Sequence, residues 1–506
     1  MLLRCLAAAL GGLFLSIGFE PVGFSPALPL GVTVLLLSVR GCRLGLAWIP
    51  GWIFGLGFFG AHLWWLRAVG TDAWAMLSLA QSVYFMPLGA ALAVLTRLRW
   101  WPVWSACAWV AVETWRGSWP FGGLTWGRLS FGTADTVWAA ALPWLGMTGV
   151  SLLIALTGAT LAWLLTGNWR RPLVAGAAVA GVVATTAVPT IVGYDVAPGR
   201  TLSVAAVQSG VPGDGTDVLA HHREITQRFS QMTVDLAQSD QRPDLVVWSE
   251  NSTATDPFSD TQTRSAIDRA SAAIGVPILV GAMVDSPREK EVLNQGIVWQ
   301  PQLGAGDRYT KRHPVAYGEY IPFRGSFIPD TYGQLRLIQR DLARGTSLEP
   351  LRIGGIRVAD AICFDVSYDD AIHGQVAHGG QLIAVQTSNA LFINTAQVDQ
   401  QFEISRLRAI ETGRYVVVAA INGVSGIIGP DGEILAMAEP RATAVAVADV
   451  ALADEITPAV AMGEWPGRIL EAVSVVALVV ALLTYRRRAR DDRTRRTARL
   501  QPSESG

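Results

Sequence analysis

Three side chains in the second half of the chain have the types and the order that covalent acyl chemistry needs. Cys363 ends the apolar run Ile356-Arg357-Val358-Ala359-Asp360-Ala361-Ile362. Glu250 ends Val246-Val247-Trp248-Ser249, and Lys311 lies in Tyr309-Thr310-Lys311-Arg312-His313-Pro314. A thiol can attack a carbonyl, a carboxylate can take its proton, and an ammonium can stabilise the oxyanion that forms. A free thiol has a pKa of about 8.5, so little thiolate exists at neutral pH and a nearby base is needed. Glu250 and Cys363 each follow a β-type run, so both would emerge at the carboxyl edge of a sheet, where α/β proteins gather ligands. Glu319, in Tyr317-Gly318-Glu319-Tyr320, is spaced to hold Lys311 or the proton-transfer network in place.

Singly, each residue has a plainer explanation. A Glu after an apolar strand is usually a solvated strand end. A Lys among Arg308, Arg312 and His313 is usually surface. A lone Cys is usually a small core residue. Phe364 reads as packing and Asp365 as a turn residue. The order Glu, Lys, Cys, taken together, favours chemistry. The other cysteines, Cys5, Cys42 and Cys107, fall in or beside apolar spans, where a buried thiol is structural. There is no CxxC pair, and the histidines show no metal-ligand spacing, so neither a metal nor a cofactor is expected.

The elements that must position these groups come from two kinds of sequence. The chain has 506 residues, enough for two or three domains. Hydrophobic residues make up 51% and charged residues only 16%, with 19 Trp, which points to a membrane protein. Apolar runs of roughly the 17–25 residues a span requires centre on 2–18, 27–39, 44–66, 73–95, 100–114, 146–165 and 173–192. The second and fifth are short. Another run lies at 469–483. The first run lacks a clear cleavage site and is read as a retained helix. The expected division is an N-terminal membrane domain of about seven helices (1–194), an α/β domain (195–466), a single span (467–485) and a basic, disordered cytoplasmic tail (486–506).

Sidedness follows from the last span. The Arg-rich tail directly after it marks the cytoplasmic face, so the α/β domain is expected on the extracytoplasmic face of a multi-pass cell-membrane protein. A basic tail in this position does not call for a nucleic-acid partner. Arg40, Arg43, Arg97, Arg99, Arg170 and Arg171 fall in the loops that this topology puts inside. Arg67, Arg116 and Arg128 fall outside, where solvation or snorkelling is the expected role.

From about 196 to 464 short β-type runs alternate with helical stretches, which indicates an α/β core. Strands are expected at 202–208, 244–249, 277–283, 292–300, 356–363, 382–386, 415–422, 426–429 and 442–450, and helices at 218–238, 262–274 and 397–412. The stretch 320–345 shows no clear element. Its apolar residues, including Phe323, Phe327, Ile328 and Tyr332, suit a mobile lid facing the membrane.

Glu250, Tyr309-Thr310-Lys311-Arg312-His313, Gly318-Glu319-Tyr320-Ile321-Pro322-Phe323 and Ile362-Cys363-Phe364-Asp365 resemble the catalytic segments of the nitrilase (carbon–nitrogen hydrolase) superfamily. Within it, the lipid-embedded N-terminus and single C-terminal span resemble the apolipoprotein N-acyltransferase family. Phe364 and Asp365 stand where better-known members carry Tyr and Glu. The resemblance implies a polytopic α-helical membrane protein with an inserted nitrilase-like αββα sandwich. It implies Glu250 as base, Lys311 as oxyanion stabiliser and Cys363 as nucleophile, with Glu319, Phe364 and Asp365 in support. It also implies an acyl chain moved from a glycerophospholipid, through a Cys thioester, to the α-amine of a diacylglyceryl-cysteine lipoprotein. The rival readings are a membrane-tethered amidase with the same triad and a non-catalytic receptor or transporter. The transporter reading would use intramembrane ionisable residues, of which Arg67, Glu113 and Asp72 are the few candidates.

Overall fold

The structure is a computed structural model that describes residues 1–325, 329 and 332–500, with side chains as far as 487. The N-terminal part is helical: α1 (Leu2–Ser16), α2 (Ala27–Val39), α3 (Trp48–His62), α4 (Thr71–Val83), α5 (Phe85–Leu95), α6 (Trp101–Ser118), α7 (Leu142–Leu165) and α8 (Pro172–Val192). Among the described residues, five helical stretches are long and apolar enough to cross a membrane: 44–62, 71–95, 139–165, 172–192 and 465–487. Small residues let these helices touch backbone to backbone, which matters where lipid gives no hydrophobic drive. A methyl group added at Gly12 would sit 2.2 Å from the Phe54 carbonyl oxygen, and one at Gly51 equally close to that of Phe85.

The second part is a sandwich of two sheets. The strands are β1 (Thr201–Gln208), β2 (Leu245–Val247), β3 (Ile278–Asp285), β4 (Glu291–Gln300), β5 (Gly304–Thr310), β6 (Asp341–Leu342), β7 (Leu351–Ile353), β8 (Ile356–Ile362), β9 (Leu382–Thr387), β10 (Val416–Ala420), β11 (Gly426–Ile428), β12 (Ile434–Met437) and β13 (Ala444–Ala451). The first sheet runs β13-β1-β2-β3-β4-β5, with β6 beside β4; the second runs β12-β11-β10-β9-β8-β7. The helices are α9 (His222–Gln238), α10 (Thr261–Ile274), α11 (Asp369–Ala377), α12 (Ala396–Thr412) and α13 (Pro458–Met462).

Side-chain alternation sorts the layers. Val204, Ala206, Leu245, Val247 and Leu279 face Val358, Ile362, Leu382, Ala384 and Val417 between the sheets. The opposite faces of β1 and β2 pack Ala205, Val207, Val246 and Trp248 against Ile225, Phe229 and Ile267 of α9 and α10. On the far side of the second sheet, Ala361, Ile383, Val385 and Val416 join Ile372, Ile404 and Leu407 in a core continuous with the membrane helices. The result is the expected αββα order, with its outermost helical layer resting on the membrane part.

Several details differ from the expectation. β5, which leads to Lys311, is an added strand, and so are β7 and β12. The stretch 320–345 is partly fixed: β6 lies along β4, and Asp341 accepts from the Ile321 N–H at 2.9 Å. Phe327 and Ile328 lie outside the described residues. The last helix, α14 (Trp465–Leu500), continues through most of the expected disordered tail; 501–506 lie outside the described residues.

Arg116 and Arg128 do not snorkel. Arg116 is buried and donates to the carbonyls of Leu124 and Trp126 at 2.7 and 2.8 Å, which shapes the loop after α6. Arg128 forms a two-pronged pair with Asp369 of α11, both contacts at 2.9 Å. Arg67 stays exposed, over the Trp64 ring.

Candidate active site

The three candidate residues stand where strands end. β2 delivers Glu250, β5 delivers Lys311 and β8 delivers Cys363. The chain turns sharply at two of these ends. Asn251 has φ 56° and Cys363 itself has φ 52°, in the left-handed region that side chains seldom occupy. Cys363 then opens a short 3-10 turn through Ser367. A side chain at such a strained strand-to-turn corner is held clear of the backbone.

Lys311 is buried between two carboxylates. Its Nζ lies 3.2 Å from Glu250 Oε1 and 2.6 Å from Glu319 Oε1. Burial alone would lower the ammonium's pKa, but Glu250 and Glu319 outweigh it and hold Lys311 well above its ordinary value. Glu250 is further fixed by Asn294 Nδ2 at 2.8 Å and by the Ser388 N–H at 2.9 Å. Glu319 accepts from the Val315 N–H at 2.9 Å, and burial raises its pKa.

Cys363 is partly buried and interacts electrostatically with Glu250, Lys311 and Glu319. Burial, then the Glu250 charge, push its thiol up to about 12 against the pull of Lys311; Thr387, at the end of β9, is its hydrogen-bonding neighbour. The resting sulfur is therefore a neutral thiol. Attack requires that its proton leave as the bond forms, which a positioned carboxylate allows.

Asp365 is more than a turn residue. Fully buried, its carboxylate accepts from the Tyr309 hydroxyl at 2.9 Å and from the N–H groups of Arg312 at 3.1 Å and His313 at 2.7 Å. It therefore ties the Cys363 corner to the Lys311 segment. Phe364 stacks on Trp126 from the loop after α6, with ring centroids 5.3 Å apart and planes within 11°. Tyr368 donates to the Gly123 carbonyl at 2.8 Å, and the Thr125 hydroxyl to that of Ser367 at 2.7 Å. The Cys363 corner thus rests on the loop between α6 and α7.

Sequence reasoning missed Asn294, Ser388, Thr387 and Trp126. Nothing local marks them, because their partners are distant in the chain.

Two stretches match known families. Residues 11–160 match the apolipoprotein N-acyltransferase N-terminal domain, and residues 203–457 match carbon–nitrogen hydrolase. The chain is 32% identical to the apolipoprotein N-acyltransferase of Mycolicibacterium smegmatis, over 95% of this chain and 85% of that protein. The chain belongs to the apolipoprotein N-acyltransferase family. It is 29% identical to the Methylococcus capsulatus relative of the same name and 24% identical to that of Photobacterium profundum, each over 96% of both chains. Among solved structures, a carbon–nitrogen hydrolase from Helicobacter pylori overlaps 49% of this chain and 89% of its own, with 16% identity and a TM-score of 0.38. Membership of the apolipoprotein N-acyltransferase family makes this chain a bacterial membrane acyltransferase with a nitrilase-like α/β domain.

Proposed function

We propose that this acyltransferase moves a fatty acyl chain from a glycerophospholipid to the α-amine of an S-diacylglyceryl-cysteine lipoprotein, by way of a thioester on Cys363. The observation that carries the reading is the convergence of Glu250 and Lys311 at the Cys363 corner, itself seated on the Trp126 loop.

Glu250 takes the thiol proton as the sulfur attacks the ester carbonyl. Lys311 faces the oxyanion of the tetrahedral intermediate, and Glu319 fixes Lys311. Glu250 returns the proton to the leaving glycerol oxygen, and a lysophospholipid departs. The neutral lipoprotein amine then attacks the thioester, with Glu250 again as base, and the thiol is regenerated. Asp365 and Phe364 position the nucleophile. The membrane part comprises 1–194 and the span after 466, and the α/β domain faces the extracytoplasmic side, where the donor lipid and the acceptor meet. α8, with no fully buried residue, supports lipid contact on the face turned away from α7.

The test is intact-mass analysis of the full-length protein after incubation with phospholipid. A fatty-acyl adduct on Cys363, discharged by a diacylglyceryl-cysteine peptide, is expected. Turnover with no adduct on wild type, or an adduct retained in Cys363→Ala, would overturn the proposal.

A further inference from the structure

Two buried carboxyl groups, Asp360 and Asp365, lie on either side of Cys363 in the chain, and their surroundings are opposite. Asp365 is met by one hydroxyl and by backbone N–H groups, as an ionised carboxylate requires. Asp360, on β8 and fully buried between the sheets, has neither oxygen hydrogen-bonded by any described residue. The Ala361 N–H is near but lacks hydrogen-bond geometry. An isolated buried carboxylate is far too costly to persist, whereas a neutral acid has a proton to give.

An acceptor stands beside it. Gln386, on the neighbouring strand β9, is fully buried, and its Oε1 is likewise without a donor. Both oxygens lie over the α-carbon of Gly296 on the facing sheet. A methyl group there would sit 1.9 Å from Asp360 Oδ2 and 2.6 Å from Gln386 Oε1. Each orphan supplies what the other lacks. The other end of Gln386 is engaged: its Nε2 donates to the Trp248 carbonyl at 2.6 Å, across the sandwich on the segment that delivers Glu250. The residue after Thr387 at the end of β9, Ser388, gives its N–H to Glu250.

We propose that Asp360 is a neutral carboxylic acid that donates its proton to Gln386 Oε1, and that this pair is a positioning device linking the Cys363 strand to the Glu250 strand. The titratable groups facing it are Asp365 and Tyr309. Burial, and then the Asp365 charge, hold Asp360 well above the ordinary carboxylate range, in keeping with this geometry. The positioning consequence rests on reading Glu250 as the base; the protonation state does not.

The experiment has three arms on full-length protein in detergent. The infrared difference between wild type and Asp360→Asn at neutral pH should show the carbonyl stretch of a protonated acid, shifted in D2O. Second, the folded state keeps a proton that unfolding releases above the ordinary aspartate range. The Asp360 contribution to wild-type stability should therefore fall as pH rises from about 4 toward neutrality, and Asp360→Asn should remove that component from the pH profile. Third, Asn can still donate to Gln386, so Asp360→Asn should keep its acyl-transfer rate, while Asp360→Leu loses on the order of tenfold to a hundredfold in kcat through misplacement of the reacting groups.

Carboxylate bands in place of the acid band, or an unchanged pH slope in Asp360→Asn, would overturn the protonation assignment, even if Asp360→Leu fails to fold. An acid band together with equal rates in wild type and a folded Asp360→Leu would overturn the positioning role. The first two arms involve no turnover, so they fail independently of the function proposed above.

Discussion

Phe364, the residue after the candidate nucleophile, lies flat against Trp126, which belongs to the loop between α6 and α7. Trp126 is in turn anchored through its indole N–H to Gln400 Oε1 at 2.7 Å. The position of Cys363 is therefore set partly from outside its own domain.

Replacing Trp126 tests that link. Trp126→Ala empties a buried site and should cost about 3–5 kcal/mol of stability along with most acyl-adduct formation. Trp126→Phe keeps a ring against Phe364 and loses the Gln400 hydrogen bond, for about 1 kcal/mol. Thermal unfolding and adduct yield should rank wild type, Phe and Ala in that order; equal adduct yields would detach the nucleophile from the membrane loop.

Glu250→Gln should move two readouts in opposite directions. Loss of the proposed base should slow acyl-adduct formation by about 10²–10⁴-fold. Removing the carboxylate charge that raises the Cys363 thiol should lower its pKa from about 12, so alkylation by iodoacetamide at fixed pH should become faster. Slower alkylation in this variant would contradict the electrostatic account.

Breaking the Arg128–Asp369 pair should loosen the docking of the membrane loop. Arg128→Ala leaves Asp369 paired with Arg408, at 2.8 Å, and should cost about 3 kcal/mol, the low end for an interrupted buried pair. The check is the unfolding midpoint in detergent, with Arg128→Lys recovering part of the loss.

Acid should weaken the same junction. Burial would raise Glu411, but Arg408, at 2.5 Å, outweighs it and brings Glu411 down to about 2 from an ordinary 4.5. A carboxylate depressed in the folded state stabilises fully above its unfolded pKa, and that contribution disappears as pH falls from 4.5 toward 2. Glu411 also accepts from the Met147 N–H of α7 at 2.9 Å. Glu411→Gln should lower stability at neutral pH and flatten the decline between about pH 5 and 3. An unchanged slope would assign the acid sensitivity to other groups.

The sheets and two of the strand ends, those before Glu250 and Cys363, were legible because apolar runs closed by polar residues are a local signal; Lys311 stood out only through its segment Tyr309-Thr310-Lys311-Arg312-His313. β5 was not: Gly304-Ala305-Gly306-Asp307-Arg308-Tyr309-Thr310 lacks alternation, and β5 forms by pairing with β4, which its own residues do not announce. Arg116 and Arg128 looked like surface charges because their partners lie in a folded-back loop and in α11. Asp365 looked like a turn residue because its donors come from more than fifty positions upstream. Long-range polar pairing leaves no periodicity to read.

The outer helices of the second sheet share one unbroken apolar interior with the lipid-embedded bundle. Severing the polypeptide near residue 195 would strip Phe364, Ile404 and their neighbours of cover and leave a greasy scar beside Cys363. The released half would aggregate or demand surfactant, so this α/β module cannot be turned into a free-standing water-soluble catalyst by trimming alone.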